Sequence, residues 1–399
     1  MQHPDVFAPA QLGPVRLRNR VVKAATFEGM TPDALVTDAL VDYHLAVARG
    51  GVGMTTVAYL AVAPEGRTDR HQVHLRESAL PGLRHLTDAV HETGAAVCAQ
   101  IGHAGPVANG RSNGLQALAA SGMPSPLSMQ LVRSATEADL IRVVRQYVDG
   151  ARIAVRAGFD ALELHLGHNY LLSSFLSPNL NRRRDRFGGS LENRARFPRQ
   201  VVRAVRDAIG GDVALTAKLS MRDGVRGGLD LEDSIPFAQM LEADGCLDAL
   251  QLSAGSSLTN PMYLFRGGVP LKEFAAQMSF PLNLGVRMSG SRFFRSYPFE
   301  EAYLLEHARR FRKALSIPLI YLGGVNRRET LDQVMAEGFE YVAMARALLK
   351  EPDLLLRMQR GEATAGACSH CNQCMPTIYT GTRCVELAPA TAPQEVRAS

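Results

Sequence analysis

Ala161-Leu-Glu-Leu-His-Leu166, followed at once by Gly167-His168-Asn-Tyr170, is the stretch that decides the fold. A short, largely apolar run of this kind reads as a strand of a parallel sheet buried on both faces. Segments with helical periodicity flank it, at Glu137–Ala157 and Leu191–Ile209. Outward in both directions the alternation repeats. Strands are expected at Arg20–Ala25, Gly53–Ala58, Ala96–Ile101, Val213–Leu219, Ala249–Ser253, Leu319–Leu322 and Tyr341–Ala345. Helices are expected at Ala39–Arg49, Pro81–Thr93, Leu231–Ala243, Glu300–Leu315 and Arg328–Glu337. Gly50, Gly94, Gly158, Gly245 and Gly338 stand where helices end, as C-terminal caps. Eight strand signals separated by helices favour an α/β fold, a single (β/α)8 TIM barrel, over a doubly wound sheet. No Gly-x-Gly-x-x-Gly follows a strand and no Walker A loop is present, so no separate nucleotide-binding domain is expected. The barrel is assigned residues 1–360, and a Cys-rich C-terminal extension and tail residues 361–399.

The totals are compatible with this. Of 399 residues 46% are hydrophobic, and the net charge of +5 is too mild to imply a nucleic-acid partner, although it suits an anionic cofactor or ligand. No segment approaches the roughly 20 apolar residues that span a bilayer, and Met1–Pro14 lacks the pattern of a signal peptide. A cytoplasmic protein without a membrane partner is expected. Oligomeric state is left open, self-association included. Two connections are long, Gly102 to Thr136 after strand three and Ala254 to Phe299 after strand six. Both are expected to wall the C-terminal mouth. The second interleaves Tyr263, Phe265, Phe274, Phe293, Phe294 and Tyr297 with Arg266, Arg287, Arg292 and Arg295, which hints at a bulky or anionic substrate.

In such a barrel, residues at or just past strand ends share one mouth. They are Thr26, Tyr59, Gln100, His103, His165, His168, Tyr170, Lys218, Gly323, Gly324 and Arg346. His165 and His168 can both donate to one carbonyl oxygen, and Tyr170 can deliver a proton. A metal on the two histidines would want more ligands, and Asp and Glu are scarce at the other strand ends. Gly323-Gly324 and Arg346 close strands seven and eight, where such barrels bind phosphate. Lys218, inside strand five, needs an anionic partner or a lowered pKa. It reads either as a Schiff-base lysine of an aldolase or as a cation facing a flavin.

These motifs resemble the old yellow enzyme family of NADH:flavin oxidoreductases. The resemblance rests on Val6-Phe-Ala-Pro9, Leu17-Arg-Asn-Arg20, Ala99-Gln100-Ile-Gly-His103, Glu163-Leu-His165-Leu-Gly-His168-Asn-Tyr170, Asn181-Arg-Arg-Arg-Asp185-Arg-Phe-Gly-Gly, Leu322-Gly323-Gly324-Val and Ala345-Arg346. It covers residues 5 to 384. It implies non-covalent FMN, reduced by NADH or NADPH, and hydride transfer to the β-carbon of an enone or enoyl compound. Tyr170 would then be the acid, and His165 and His168 the carbonyl anchors. Thr26, Tyr59, Gln100, Lys218, Gly323, Gly324, Ala345 and Arg346 would hold FMN. Ala24-Ala25-Thr26-Phe27-Glu28-Gly29 and Tyr59 depart from the family pattern, which puts the flavin contacts there in doubt.

Cys368-x2-Cys371-x2-Cys374, with Cys384 after nine more residues, resembles a branch that includes 2,4-dienoyl-CoA reductase and trimethylamine dehydrogenase. That implies a [4Fe–4S] cluster; Zn2+ or free thiols are the other readings. His370, inside the motif, is expected to be an exposed loop residue. The chain runs only fifteen residues past Cys384, so a cluster is expected either to need a separate electron carrier or to be structural. Two functions follow. The first is an FMN-dependent ene-reductase. The second is an FMN/[4Fe–4S] dehydrogenase or demethylase that passes electrons to another protein.

Overall fold

Eight parallel strands close on themselves. In the computed structural model, which describes residues 3–125, 128–277 and 282–387, they are β1 Val21–Lys23, β2 Met54–Ala61, β3 Ala96–Gly102, β4 Ala161–Leu166, β5 Ala214–Ser220, β6 Ala249–Ser253, β7 Leu319–Leu322 and β8 Tyr341–Met344. Each pairs with its neighbours in sequence, and β8 returns to β1. The longer helices are α1 Asp38–Arg49, α2 Leu80–His91, α3 Glu137–Arg156, α4 Leu191–Ile209, α5 Leu231–Ala243, α6 Leu305–Ala314 and α7 Arg328–Ala336. The fold is the expected TIM barrel.

Strand alternation explains the layers. On β4, Leu162, Leu164 and Leu166 face outward into the apolar layer that also holds Val143, Tyr147 and Ala151 of α3 and Val201 and Val205 of α4. Ala161, Glu163 and His165 lie at the alternate, inward positions. The barrel lumen is thus polar at mid-height, with Thr56, Gln100, Glu163, Thr216, Lys218, Gln251 and Ser253 all buried. This corrects the reading of strands apolar on both faces: the helix-facing side is apolar, while the inward side carries polar residues on β2 to β6 and stays apolar on β7 and β8, at Ile320, Leu322, Tyr341 and Ala343.

There the chain plugs the barrel. A hairpin, Ala10–Leu12 against Val15–Leu17, packs Leu12 and Leu17 onto Ala96, Ala161, Ala214 and Ala249. Small residues at four strand starts leave room for the two leucines. Gly13 turns the hairpin at φ +53°, and a Cβ there would lie 2.6 Å from the Asp248 carboxyl.

Both long connections carry structure that the sequence reading left as loop. After β3 comes a small sheet of Leu118–Ala119, Met123–Pro124 and Leu131–Ser134. After β6 come helices Leu271–Ala276 and Leu282–Phe293. At the first helix end, Gly51 takes positive φ (+103°) while Gly50 stays at −73°. The side chains of Arg287 and Arg292, and the tail beyond residue 387, lie outside the described residues. Among the described residues no helix is long and apolar enough to cross a membrane. Leu12→Ala should open a cavity under the plug and cost about 2–5 kcal/mol in urea unfolding; a loss below about 1 kcal/mol would show that the plug is not part of the core.

Candidate active site

A cavity of about 310 Å3 opens at the C-terminal ends of the strands, a size suited to a small organic molecule. Thr26, Tyr59, Gln100, His165, His168, Tyr170, Lys218, Gly323, Gly324, Ala345 and Arg346 all line it. His103 does not. It is buried behind the wall, with its Nδ1 accepting from the Gly105 N–H at 3.0 Å. An irregularity in β2 between Val57 and Leu60 lets the adjacent Ala58 and Tyr59 both reach the cavity.

The floor is ionic. Lys218 Nζ lies 3.1 Å from Glu163 Oε1, and both side chains are almost fully buried. Gln100 Nε2 donates to the same oxygen at 2.6 Å. The register pairs Gln100 with Glu163 and Lys218 with His165 across neighbouring strands, which brings the four together. The Lys218 ammonium is therefore paired, unlike the free amine that Schiff-base chemistry requires. Gln251, on β6 beside Lys218, is 1% exposed, and neither end of its amide finds a partner.

Above the floor, His168 Nδ1 and His165 Nε2 are 3.2 Å apart, and His168 Nε2 is 2.8 Å from Ser253 Oγ. The two rings thus bond to each other and do not yet converge on a third atom, while His165 Nδ1 is buried without a partner. His168 and Asn169 have φ of +58° and +61°. This strained pair is held by His168 N–H to Ser220 Oγ (2.9 Å) and by Asn169 Nδ2 to Asp223 Oδ1 (3.1 Å). Burial, then the Lys218 charge, lowers the His168 pKa to about 3. Burial also drives His165 well below the ordinary value, with His168 and Lys218 adding to it. Both imidazoles are neutral at pH 7. Tyr170 stacks on His165 with ring centroids 4.2 Å apart, and burial raises its pKa, so the phenol keeps its proton. Tyr59 backs Tyr170 edge-on at 5.3 Å and donates from its hydroxyl to Gly66 O at 2.6 Å.

At the far end of the cavity lie Gly323, Gly324 and Arg346. Gly323 and Gly324 have φ of +146° and +74°, and Cβ atoms there would lie 2.8 Å from the Leu304 side chain and 2.5 Å from the Tyr303 ring. Arg346 donates from Nη1 to Arg266 O at 2.8 Å and to Asn372 Oδ1, and among the described residues no carboxylate pairs with it. Of the cysteines, Cys374 lines the cavity. Cys368, Cys371, Cys374 and Cys384 are free thiols, and among the described residues no three metal-ligating side chains are placed to hold one ion.

Other departures concern the walls. The described residues of the connection after β3 are absent from the lining; its Val107, Ala117 and Ala119 pack behind Tyr59 and Tyr170. The β6 connection does line it, through Pro261, Leu264, Phe265 and Phe274. Its described arginines do not. Arg266 sits among the rings of Tyr263, Tyr297 and Tyr303, so it gives no support to an anionic substrate. His370 is half-buried, not exposed: it stacks on Phe299 and reaches the cavity, and burial and Arg346 lower its pKa to about 4. The sequence reading also missed Lys23, Glu28 and His44. Lys23 Nζ lies 3.5 Å from Glu28 Oε1 and donates to Thr26 Oγ1 at 3.0 Å; His44 Nε2 is 3.5 Å from the same carboxyl oxygen. A lysine and a glutamate five residues apart at the end of an apolar strand were the available signal.

The sequence profile of the NADH:flavin oxidoreductase / NADH oxidase family matches residues 5–255. This chain belongs to that family. It is 58% identical over 382 residues to the 4,4'-dithiodibutanoate disulfide reductase of Rhodococcus erythropolis, across 96% of this chain and 95% of that one. The 2-naphthoyl-CoA reductase structure superposes with a TM-score of 0.79 at 25% identity, over 93% of this chain and 54% of that longer one. The old yellow enzyme homologue from Zymomonas mobilis superposes with a TM-score of 0.73 at 22% identity, over 96% and 100% of the two chains. The chain is an FMN-dependent oxidoreductase of old yellow enzyme type.

The histidines make stability depend on pH. His168 is neutral when folded but titrates near the ordinary value, 6.5, when unfolded. The unfolded state therefore binds the extra proton first, and stability present above pH 6.5 is lost as pH falls toward about 3. His103, lowered to about 4 chiefly by burial, acts in the same direction. The urea midpoint should fall between pH 6.5 and 5, and His168→Gln should flatten that slope; an unchanged slope would contradict the assignment of neutral imidazole.

Proposed function

We propose that this chain is an FMN-dependent NAD(P)H reductase of small organic disulfides of the dithiodicarboxylate type. The observation that carries it is the 58% identity, across nearly the whole of both chains, to a protein named for that reaction. FMN, when bound, supplies the two electrons of NAD(P)H as a hydride. The residues present fit that group. Gly323 and Gly324, kept free of side chains by Leu304 and Tyr303 packed against them, would offer backbone N–H groups to the phosphate, and Arg346, without a carboxylate partner among the described residues, would supply the cation. Lys218, Gln100 and Thr26 would face the ring, with Tyr59 and Ala345 completing the wall.

In this reading the S–S bond breaks. One sulfur takes the hydride and the other leaves as a thiolate, which a solvent proton completes to the second thiol. His165 and His168 are the groups that would receive the developing anion. Neutral imidazoles can offer N–H donors without a charge that would compete for it. Their mutual 3.2 Å bond must open for both to serve.

One observation favours a second substrate class, the C=C bond of an α,β-unsaturated carbonyl compound. Tyr170 stacks on His165 and keeps a raised pKa. A phenol that weak is poorly matched to a thiolate, which leaves readily as the anion. It is well matched to a far more basic enolate carbon, which must be protonated. Tyr170→Phe therefore separates the two classes. It should lower kcat with 2-cyclohexenone by about 10²–10⁴-fold and lower kcat with 4,4'-dithiodibutanoate by less than about tenfold. Equal losses on both would remove the distinction, and no turnover of the disulfide by wild type would end the first reading.

The cysteine set is the remaining alternative, an FMN/[4Fe–4S] enzyme serving a separate electron carrier. Cys368, Cys371, Cys374 and Cys384 supply the needed number of sulfurs, and Arg346 acts electrostatically on Cys368 and Cys374. As they stand they do not form a single-ion site. Protein purified without oxygen should show about four iron and four acid-labile sulfide per chain if this reading holds; zinc alone, or neither, would remove it.

A further inference from the structure

The cysteine loop is bolted to the anion end of the cavity through one residue. Asn372, between Cys371 and Cys374, is 1% exposed and takes φ of +60°. Its Nδ2 donates to the carbonyls of Phe265 at 2.7 Å and Gly268 at 2.9 Å. Its Oδ1 accepts from Arg346 Nη1, the same nitrogen that donates to Arg266 O. Gly268 N–H donates to His370 O at 2.9 Å. The fit is close: a Cβ on Gly267 would lie 2.1 Å from His370 O, and one on Gly268 2.6 Å from Cys371 O. Three separate segments thus meet at one amide: the cysteine loop, the start of the β6 connection and the end of β8.

The chemistry requires an amide. Asparagine donates and accepts at once, and it tolerates the left-handed backbone better than most residues. Aspartate would set its oxygens against two carbonyls. Alanine would remove the partner of those carbonyls and of a guanidinium N–H. With Nη1 held from behind, Arg346 is fixed where it lines the cavity, beside Tyr303.

We propose that Asn372 is a positioning residue that fixes Arg346 as the cation for the FMN phosphate, and so couples order in the cysteine loop to FMN retention. This rests on the reading of Gly323, Gly324 and Arg346 as the phosphate end. The coupling is reciprocal: bound phosphate should in turn hold the loop that carries the thiols.

The test uses holoenzyme and two readouts besides turnover. FMN release is followed by recovery of flavin fluorescence on dilution. Alkylation of Cys371 and Cys374 by iodoacetamide is followed by mass spectrometry. Arg346→Ala and Asn372→Ala should each speed FMN release by roughly tenfold or more, as for a lost hydrogen bond to a charged group, and each should speed alkylation. Wild type stripped of FMN should be alkylated faster than holoenzyme. Rapid release from Arg346→Ala with wild-type release from Asn372→Ala would overturn the coupling and leave the phosphate reading intact. Unchanged release from Arg346→Ala would overturn the phosphate reading itself. Should Asn372→Ala fail to fold, wild type decides: equal alkylation rates with and without FMN sink the proposal.

Discussion

A parallel sheet has two unpaired edges, and this one removes both by closing β8 onto β1. Closure is the constraint on which everything else depends. It divides every strand into an outward side that must suit helices and an inward side that need not. Near the strand starts the inward side is alanine on four strands, β3 to β6, and Leu12 and Leu17 fill the space this leaves. At mid-height it is polar, and the register of β3, β4 and β5 sets Gln100, Glu163, His165 and Lys218 side by side. A cavity with a charged floor follows from register, because neighbouring strands cannot slip without turning these groups into the apolar layer.

The floor then sets the electrostatics above it. Lys218 is held in the lumen by Glu163 and acts on both histidines at close range. Burial and that charge together keep both imidazoles neutral. Local rules are broken where this happens. Two consecutive residues, His168 and Asn169, have positive φ, and His165 Nδ1 and both ends of Gln251 lack partners. Of these, His165 and His168 line the cavity, so an unsatisfied ring nitrogen and a strained backbone both belong to residues that a ligand there would meet.

The chemical tension in the molecule lies in Tyr170. The histidines suit any substrate that develops negative charge, whether on oxygen or on sulfur. A buried phenol with a raised pKa suits carbon protonation. The kinship with a disulfide reductase and the geometry of Tyr170 thus point to different proton acceptors on one scaffold. At the opposite end of the cavity, Arg346 and Asn372 tie the cysteine loop to the same scaffold, so the C-terminal extension is part of the site and not an appendage to it.

The amino-acid sequence by itself determined the barrel and the rim of its mouth. Period and spacing report directly where strands end, and strand ends converge in this architecture. Hence Thr26, Tyr59, Gln100, His165, His168, Tyr170, Lys218, Gly323, Gly324, Ala345 and Arg346 were all legible, and all line the cavity. Tertiary structure alone decided the rest. Whether Lys218 is a free amine depended on Glu163, a neighbour on another strand. His103 fell behind the wall and His370 came to the cavity because loop packing, which has no period, chose their directions. The arginines of the β6 connection suggested an anionic ligand, yet Arg266 is enclosed by tyrosines. The role of Asn372 emerged only when segments more than a hundred residues apart in sequence met at its amide, a contact that spacing along the chain does not encode.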